Sequence, residues 1–337
     1  MKIPYRLPSE YQPVEVSKLR PGGSYKQLIE KRTHPIDELV RVHGQIPADL
    51  LTPRPCPTCG HDEPRHELDK DHMRLVRCPA CDVVYVSPCF DEAHYQEVYA
   101  SQAYQDIVRD LGIQSHDYRV ERFGRERVGL MSRHLPAGLA HPRYLDVGCS
   151  TGFVVEAATA AGWEAIGTDL NPSAVEFGVS RGLDLRTTTL DQGGFAPESF
   201  DAVSMFDVLE HLFEPRQALE SAARLLRPGG IVFLYVPNYD SASRLLMGKD
   251  AHFIWPTHHL NYYTPATMRD LLGRLGLETV YLATEGLDIV DYLWYRREVH
   301  GETDAGVEAI ADRLQFFINA GAYGKNLRAI GAKPGTR

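Results

Sequence analysis

Cysteine is scarce in this chain, with six in 337 residues, too few for a disulfide scaffold. No apolar run approaches the roughly 18 residues of a membrane-spanning helix. The stretch from Met1 to Glu10 carries prolines and charges where a secretory leader needs an apolar centre. A cytoplasmic setting, with reduced thiols, is therefore expected. Positive charge is also short: 36 Lys+Arg stand against 45 Asp+Glu, a net charge of −9. Nucleic acid is a poor default partner for such a chain, because phosphate binding wants a basic face. One basic stripe can still sit on an acidic protein. Internal repeats and low-complexity blocks are absent.

What is present reads as an ordinary globular chain, 43% hydrophobic and 24% charged. Its length allows about two domains. Proline crowds residues 1–54, read as an N-terminal arm with short helices near Tyr25–Glu30 and Asp37–Val42. Residues 91–140 read as a helical connector, with Val120, Phe123, Val128 and Met131 at helical spacing. From Arg143 onward, strands and helices alternate. Strands are expected at Tyr144–Val147, Ala165–Thr168, Leu185–Thr188, Ala202–Phe206, Ile231–Val236, Thr279–Ala283 and Leu327–Ala332. Helices fall between them at Phe153–Ala161, Pro172–Arg181 and Pro215–Leu226. That alternation implies an α/β fold with a mostly parallel sheet covered on both faces.

The cysteines are informative by position. Cys56-x-x-Cys59 and Cys78-x-x-Cys81 are two knuckles separated by 18 residues. Four thiolates at this spacing suit a closed tetrahedral zinc site, so residues 55–90 read as a zinc ribbon. Such a site leaves no open position, which makes the expected Zn2+ structural. Strands are expected at Met73–Arg77 and Val83–Val86; His61, His66 and His72 read as exposed ribbon residues.

The turn Gly148-Cys-Ser-Thr-Gly152 follows a strand that carries Asp146 and opens a helix. Gly148 and Gly152 would let a ligand approach the backbone closely. The second strand ends in Asp169, where an acid commonly accepts hydrogen bonds from ribose hydroxyls. The spacing is not that of a G-x-G-x-x-G dinucleotide fingerprint.

In order along the chain, DVGCSTG, GTDLNPSAVEFG, SFDAVSMFDVLEHL and LLRPGGIVFLYVPN resemble the motifs of class I S-adenosylmethionine-dependent methyltransferases. The resemblance covers about residues 140–335. One departure is Ser150, where the family usually has the middle glycine of the turn. The ribbon followed by Val83-Val-Tyr-Val-Ser-Pro88 also resembles, less specifically, the N-terminal ribbon of some bacterial methyltransferases acting on sugars and small metabolites.

The resemblance implies a Rossmann-like seven-stranded sheet with the last strand antiparallel, occupying residues 141–337. It implies that Gly148, Cys149, Ser150 and Gly152 cradle the methionine part of S-adenosyl-L-methionine, with Asp146 near its amino group. Asp169 would hold the ribose and Leu170 the adenine face. Leu190, beside Thr189 and Asp191, would contact the adenine edge. Phe206 and Asp207 would border the methyl group. Residues 238–264 would form a substrate lid, and 288–321 a helical insertion.

Methyl transfer from a sulfonium is an in-line displacement, so alignment and water exclusion carry most of it. A general base helps a hydroxyl acceptor, and histidine fits the need. His211, at the carboxyl edge of the sheet, and His259, in the lid, are the candidates; each could instead be structural. Asn238, Tyr239, Trp255, Tyr262 and Tyr263 could line an acceptor pocket, with core packing the competing reading. Tyr118 is a candidate cover for the cofactor.

The leading expectation is a methyltransferase acting on a small-molecule or carbohydrate-type metabolite. The alternatives are an RNA- or protein-modifying enzyme that grips through the ribbon, a sugar C-methyltransferase, or a cofactor-binding protein without turnover. The ribbon's Arg65, Lys70, Arg74 and Arg77 are outweighed by Asp62, Glu63, Glu67, Asp69, Asp71 and Asp82, which argues against RNA. A second copy of the chain is a candidate partner, through the aromatic-rich insertion.

Overall fold

The computed structural model describes residues 11–21, 34–100 and 102–335. The helix expected at Tyr25–Glu30 lies outside the described residues; the one near Asp37–Val42 is found as His34–His43.

Two sheets organise the molecule. The larger has seven strands: β4 (Arg143–Val147), β5 (Glu164–Asp169), β6 (Leu185–Thr187), β7 (Phe200–Phe206), β8 (Leu226–Pro237), β10 (Glu278–Glu285) and β11 (Asn326–Ala332). Their order is β10-β11-β8-β7-β4-β5-β6. The strands β6-β5-β4-β7-β8 pair in parallel, and β11 runs antiparallel to both β8 and β10. The expected Rossmann-like sheet with an antiparallel last strand is therefore present. Every side chain of β7 is buried, as a central parallel strand covered on both faces requires. Helices Phe153–Ala160, Pro172–Ser180 and Pro215–Leu225 supply crossovers. The order reverses at β4, which has β5 on one side and β7 on the other. Ligands bind outside the carboxyl ends of strands at such a switch point.

The smaller sheet contains β1 (Arg65–Lys70), β2 (Met73–Arg77), β3 (Val84–Val86) and β9 (Asn261–Tyr262), all antiparallel. Its fourth strand comes from the segment expected to be a lid. Val84 pairs with Tyr262 and Tyr85 with Asn261, so the segment is stitched to the ribbon. Arg54 reinforces the seam: its guanidinium donates to the carbonyls of Val86, Phe213 and Leu260 and to Asn261 Oδ1. The ribbon's Val76, Val83 and Tyr85 share one core with Leu145, Met205 and Val232 of the large sheet.

The connector is one long helical run with a change of pitch. Helix Gln102–Arg119 passes through a π-helical turn, Val120–Gly124, into helix Arg125–Ser132. Gly124 sits where a Cβ would lie 2.8 Å from Phe153 O and 2.9 Å from Ala157 Cβ, so the run packs tightly on helix Phe153–Ala160. No described helix is long and apolar enough to cross a membrane.

Candidate active site

The site is built outward from the end of β4. Asp146 is buried there and accepts a hydrogen bond from Ser204 Oγ at 2.6 Å. Burial pushes its carboxyl up to about 7. The glycine turn follows, with Gly148 N–H and Cys149 N–H both donating to Thr168 O, which ties the turn to β5. Gly148 has φ +72°, and a Cβ there would stand 2.3 Å from Val208 Cγ2. Ser150, the departure from the family pattern, takes the left-handed backbone with φ +51°. Its N–H donates to Asp169 Oδ2 at 2.7 Å, a hydrogen bond that compensates a strain of about 1 kcal/mol. Asp169 Oδ1 also accepts from Asn171 N–H at 2.8 Å, so its carboxylate is aimed by the backbone on both sides. Burial raises its pKa.

A cavity of about 500 Å³ opens over this turn. Asp146, Gly148, Cys149, Ser150, Asp169, Leu170, Phe206, Asp207 and His211 all line it. Leu170 is an exposed apolar side chain there, open to stack against a flat ring. Gly152 stands just behind the wall; with φ +80°, it starts helix Phe153–Ala160, and a Cβ there would meet Leu185 at 2.9 Å. Leu190 does not reach the cavity and packs on the core under the sheet.

A second cavity of about 340 Å³ adjoins the first. Leu111, Arg119, Arg127, Phe153 and Asp207 line both. Asp207 directly follows β7 with φ +56°, and its N–H donates to Tyr235 O. Its side chain is exposed to the cavity space; desolvation there raises its pKa, against the lowering pull of Arg127, Arg119 and Lys325. Tyr11, Val14, Leu19 and Arg20 of the N-terminal arm roof this chamber. Arg20 is anchored by Asp291 at 2.8 Å. Tyr118 does not cover either cavity; its hydroxyl accepts from Glu15 N–H and so holds the arm.

Of the two candidate histidines, His211 lines one of these two cavities and His259 lines neither. Its Nδ1–H donates to His258 O at 3.0 Å, which leaves the lone pair on Nε2. Burial pushes its pKa down to about 4. His259 stands behind it, with ring centroids 4.7 Å apart, and its Nδ1–H donates to Phe253 O. Glu210 completes a close group whose ligand-type atoms lie within 4.8 Å of one another.

The expected acceptor-pocket residues are placed differently. Asn238, Tyr239, Trp255, Tyr262 and Tyr263 are buried, and none lines either cavity. Asn238 Nδ2 donates to Gly324 O, and Tyr239 Oη to Glu67 of the ribbon. Tyr262 Oη accepts from Trp255 N–H, Trp255 stacks on His258, and Tyr263 packs in the core beside the cysteines. Their amphipathic character serves the seam between ribbon and large sheet. The residues that sequence reasoning missed are Arg119, Arg122 and Arg127 of the connector. The visible signal was their density in a chain of net charge −9.

The cysteine knuckles match one another. Gly60 N–H donates to Cys56 O and Asp82 N–H to Cys78 O, with positive φ at both Gly60 and Asp82. The Sγ atoms of Cys56, Cys59, Cys78 and Cys81 lie within 4.8 Å of one another. Cys56 and Cys81 are 3.4 Å apart, and Cys59 and Cys78 3.5 Å. A tetrahedron with Zn–S near 2.3 Å has edges of about 3.8 Å, so the donor set fits zinc.

A reversing parallel sheet with an aimed acid at the end of β5, a glycine turn after β4 and a deep cleft between is the arrangement in which open α/β folds bind nucleoside-type ligands. The chain belongs to the class I S-adenosylmethionine-dependent methyltransferases, and is an enzyme of that kind. A family model described as a methyltransferase domain matches residues 118–282. The ubiquinone biosynthesis O-methyltransferase of Thiobacillus denitrificans is 32% identical over 157 residues, covering 42% of this chain and 67% of that protein. Its counterpart from Cereibacter sphaeroides is 31% identical over 179 residues, covering 49% of this chain and 70% of that protein. A solved chain from the complex containing the Haloferax volcanii Trm112 methyltransferase activator shares the fold, with TM-score 0.50 and 17% identity over 72% of this chain and 99% of its own.

Proposed function

We propose that the protein methylates a small-molecule acceptor seated in the chamber beyond Asp207. The observation that carries this reading is the pair of adjoining cavities, one over the glycine turn and one closed by the arm, meeting at Asp207 and Phe153. A volume of about 340 Å³ is of small-ligand size. The ribbon supports a small acceptor over RNA or protein, because one edge of its sheet is filled by β9. The similar O-methyltransferases of ubiquinone biosynthesis favour a hydroxyl as the accepting group.

S-adenosylmethionine, when bound, supplies a methyl group already activated on a sulfonium. Around it, Asp169 would hold the ribose hydroxyls, Leu170 would cover the adenine, and Asp146 would face the amino group. The turn at Gly148, Cys149 and Ser150 would follow the methionine part. Phe206 and the arm would exclude water, and Asp207 would border the reacting groups. His211 Nε2 would take the proton of an acceptor hydroxyl. A base with a pKa near 4 stays unprotonated at neutral pH, and it suffices because the hydroxyl becomes strongly acidic as its oxygen gains a bond. His259 would act as a positioning residue behind it.

Zinc, when bound by Cys56, Cys59, Cys78 and Cys81, would cross-link the two knuckles and take no part in the chemistry. The experiment for the acceptor reading is turnover of labelled S-adenosylmethionine over a panel of phenols, catechols and sugars, compared with bulk RNA. His211→Ala should lower kcat by roughly 10²–10⁴-fold while cofactor affinity stays unchanged. Turnover with RNA alone, or an unchanged kcat in H211A, would overturn the respective part.

A further inference from the structure

The chamber under the N-terminal arm is unusually cationic for a chain of net charge −9. Arg20, Arg119, Arg122, Arg127 and Lys325 all line it. Two of these share one counter-charge within the protein. Arg20 Nη1 and Lys325 Nζ both meet the fully buried Asp291, at 2.8 and 2.6 Å. The chamber's Glu285 and the neighbouring Glu126 are both engaged by Arg328, at 3.0 and 2.6 Å, although Glu126 also lies within electrostatic reach of Arg122 and Arg127.

The other arginines have no carboxylate at ion-pair distance among the described residues. Arg127 is 7% exposed, and none of its N–H groups has a hydrogen-bond partner among the described residues. Its guanidinium rests on the ring faces of Phe206 and Tyr235, at 4.2 and 4.7 Å. Arg119 has Ser115 Oγ at 2.7 Å, and its charge lies near Phe153. Arg122 donates one Nη to Gln12 O at 2.7 Å, while its Nε is buried without a partner. Burying a cation without a counter-charge costs several kcal/mol, and ring faces return only about 2.

Two anionic groups are already accounted for. Asp207 is one, and it lines both cavities. The methionyl carboxylate of S-adenosylmethionine, when bound, would be the other, held by Arg119 and Arg127, which also line the cofactor cavity. Arg122 lines only the outer chamber. Arg122, with one Nη taken by Gln12 O and its Nε without a partner, therefore remains as a cation on the acceptor side. Planar donor forks of this kind suit carboxylate and phosphate oxygens.

Resting on the methyltransferase reading above, we propose that the acceptor carries an oxyanion head, carboxylate or phosphate, gripped in the outer chamber by Arg122. The head points away from the methyl donor, and the accepting hydroxyl lies toward Asp207 and His211. The arm then does more than exclude water: it closes over a bound anion.

The test uses the full-length, zinc-loaded protein, with and without saturating S-adenosylhomocysteine. Benzoate, phenyl phosphate and uncharged phenol are titrated by calorimetry or ligand-observed NMR. At least one anion should bind roughly tenfold or more tightly than phenol, as one charge-assisted pair implies, and the stronger of the two identifies the head. Arg122→Gln should erase that advantage while leaving phenol and S-adenosylhomocysteine affinities unchanged. Arg122→Lys should keep part of it. Equal binding of all three probes, or full anion binding by R122Q, would overturn the proposal. Failure of S-adenosylhomocysteine itself to bind would instead count against the cofactor reading.

Discussion

Asp146 gives the site a pH dependence whose sign can be worked out. Its carboxyl sits near 7 because burial disfavours the charge. A cationic amino group placed against it favours the charged form and lowers that pKa. Binding must then release a proton below about pH 7, so the Kd for S-adenosylmethionine should rise as pH falls, by up to about tenfold per unit. Titration calorimetry between pH 5.5 and 8.5 reads this directly, and Asp146→Asn should flatten the curve. A flat wild-type curve would place Asp146 outside the amino group's reach. Gly148 makes a steric prediction. Gly148→Ala should destabilise the fold by about 1–3 kcal/mol, because the new Cβ meets Val208 at 2.3 Å on a left-handed backbone. Denaturant melts decide it; an alanine variant as stable as wild type would mean the turn has another conformation.

At the scale of elements, the buried Asp291 is what joins the arm to the insertion. It belongs to helix Asp288–His300 and is met by Arg20 of the arm and Lys325 before β11, which hold its carboxyl well below the usual range against the opposing effect of burial. Asp291→Asn should therefore cost about 3–5 kcal/mol, since both cations lose their counter-charge. A thermal melt checks this; a shift indistinguishable from wild type would show that water takes over the role. The same scale shows what the sequence reveals and what it hides. The strands of the large sheet are legible because central parallel strands read as apolar runs bounded by turn residues. The knuckles are legible because C-x-x-C spacing is a local constraint. Strand β9 is hidden: two residues become a strand only because β3 lies beside them. Tyr239, Trp255, Tyr262 and Tyr263 read as pocket aromatics because an aromatic in a loop looks the same whether it faces a cavity or a seam. Motif order singles out Asp169 and Asp207, and both line the cavity, whereas Arg119, Arg122 and Arg127 sit in a helical run whose place emerges only when it packs over the glycine turn.

Across the whole molecule, ribbon and large sheet act as one unit. They share a hydrophobic core, and the ribbon's sheet takes its fourth strand from the catalytic half. Metal analysis of the purified protein should find one zinc per chain, and chelation should lower the melting temperature of a single cooperative transition. Two separate transitions, or a melt indifferent to chelation, would contradict that coupling. Zinc loss should also reduce turnover, through β9 and the backbone carbonyl of His258 that holds His211. The central claim, a cofactor cleft closed by a separate acceptor chamber, is tested most directly by titrating S-adenosylmethionine into the full-length protein and into Asp169→Ala. The account predicts one saturable site in wild type and a loss of roughly tenfold or more in the variant, from the ribose hydrogen bonds removed. No saturable binding to the zinc-loaded wild type, or equal affinity in D169A, would contradict it.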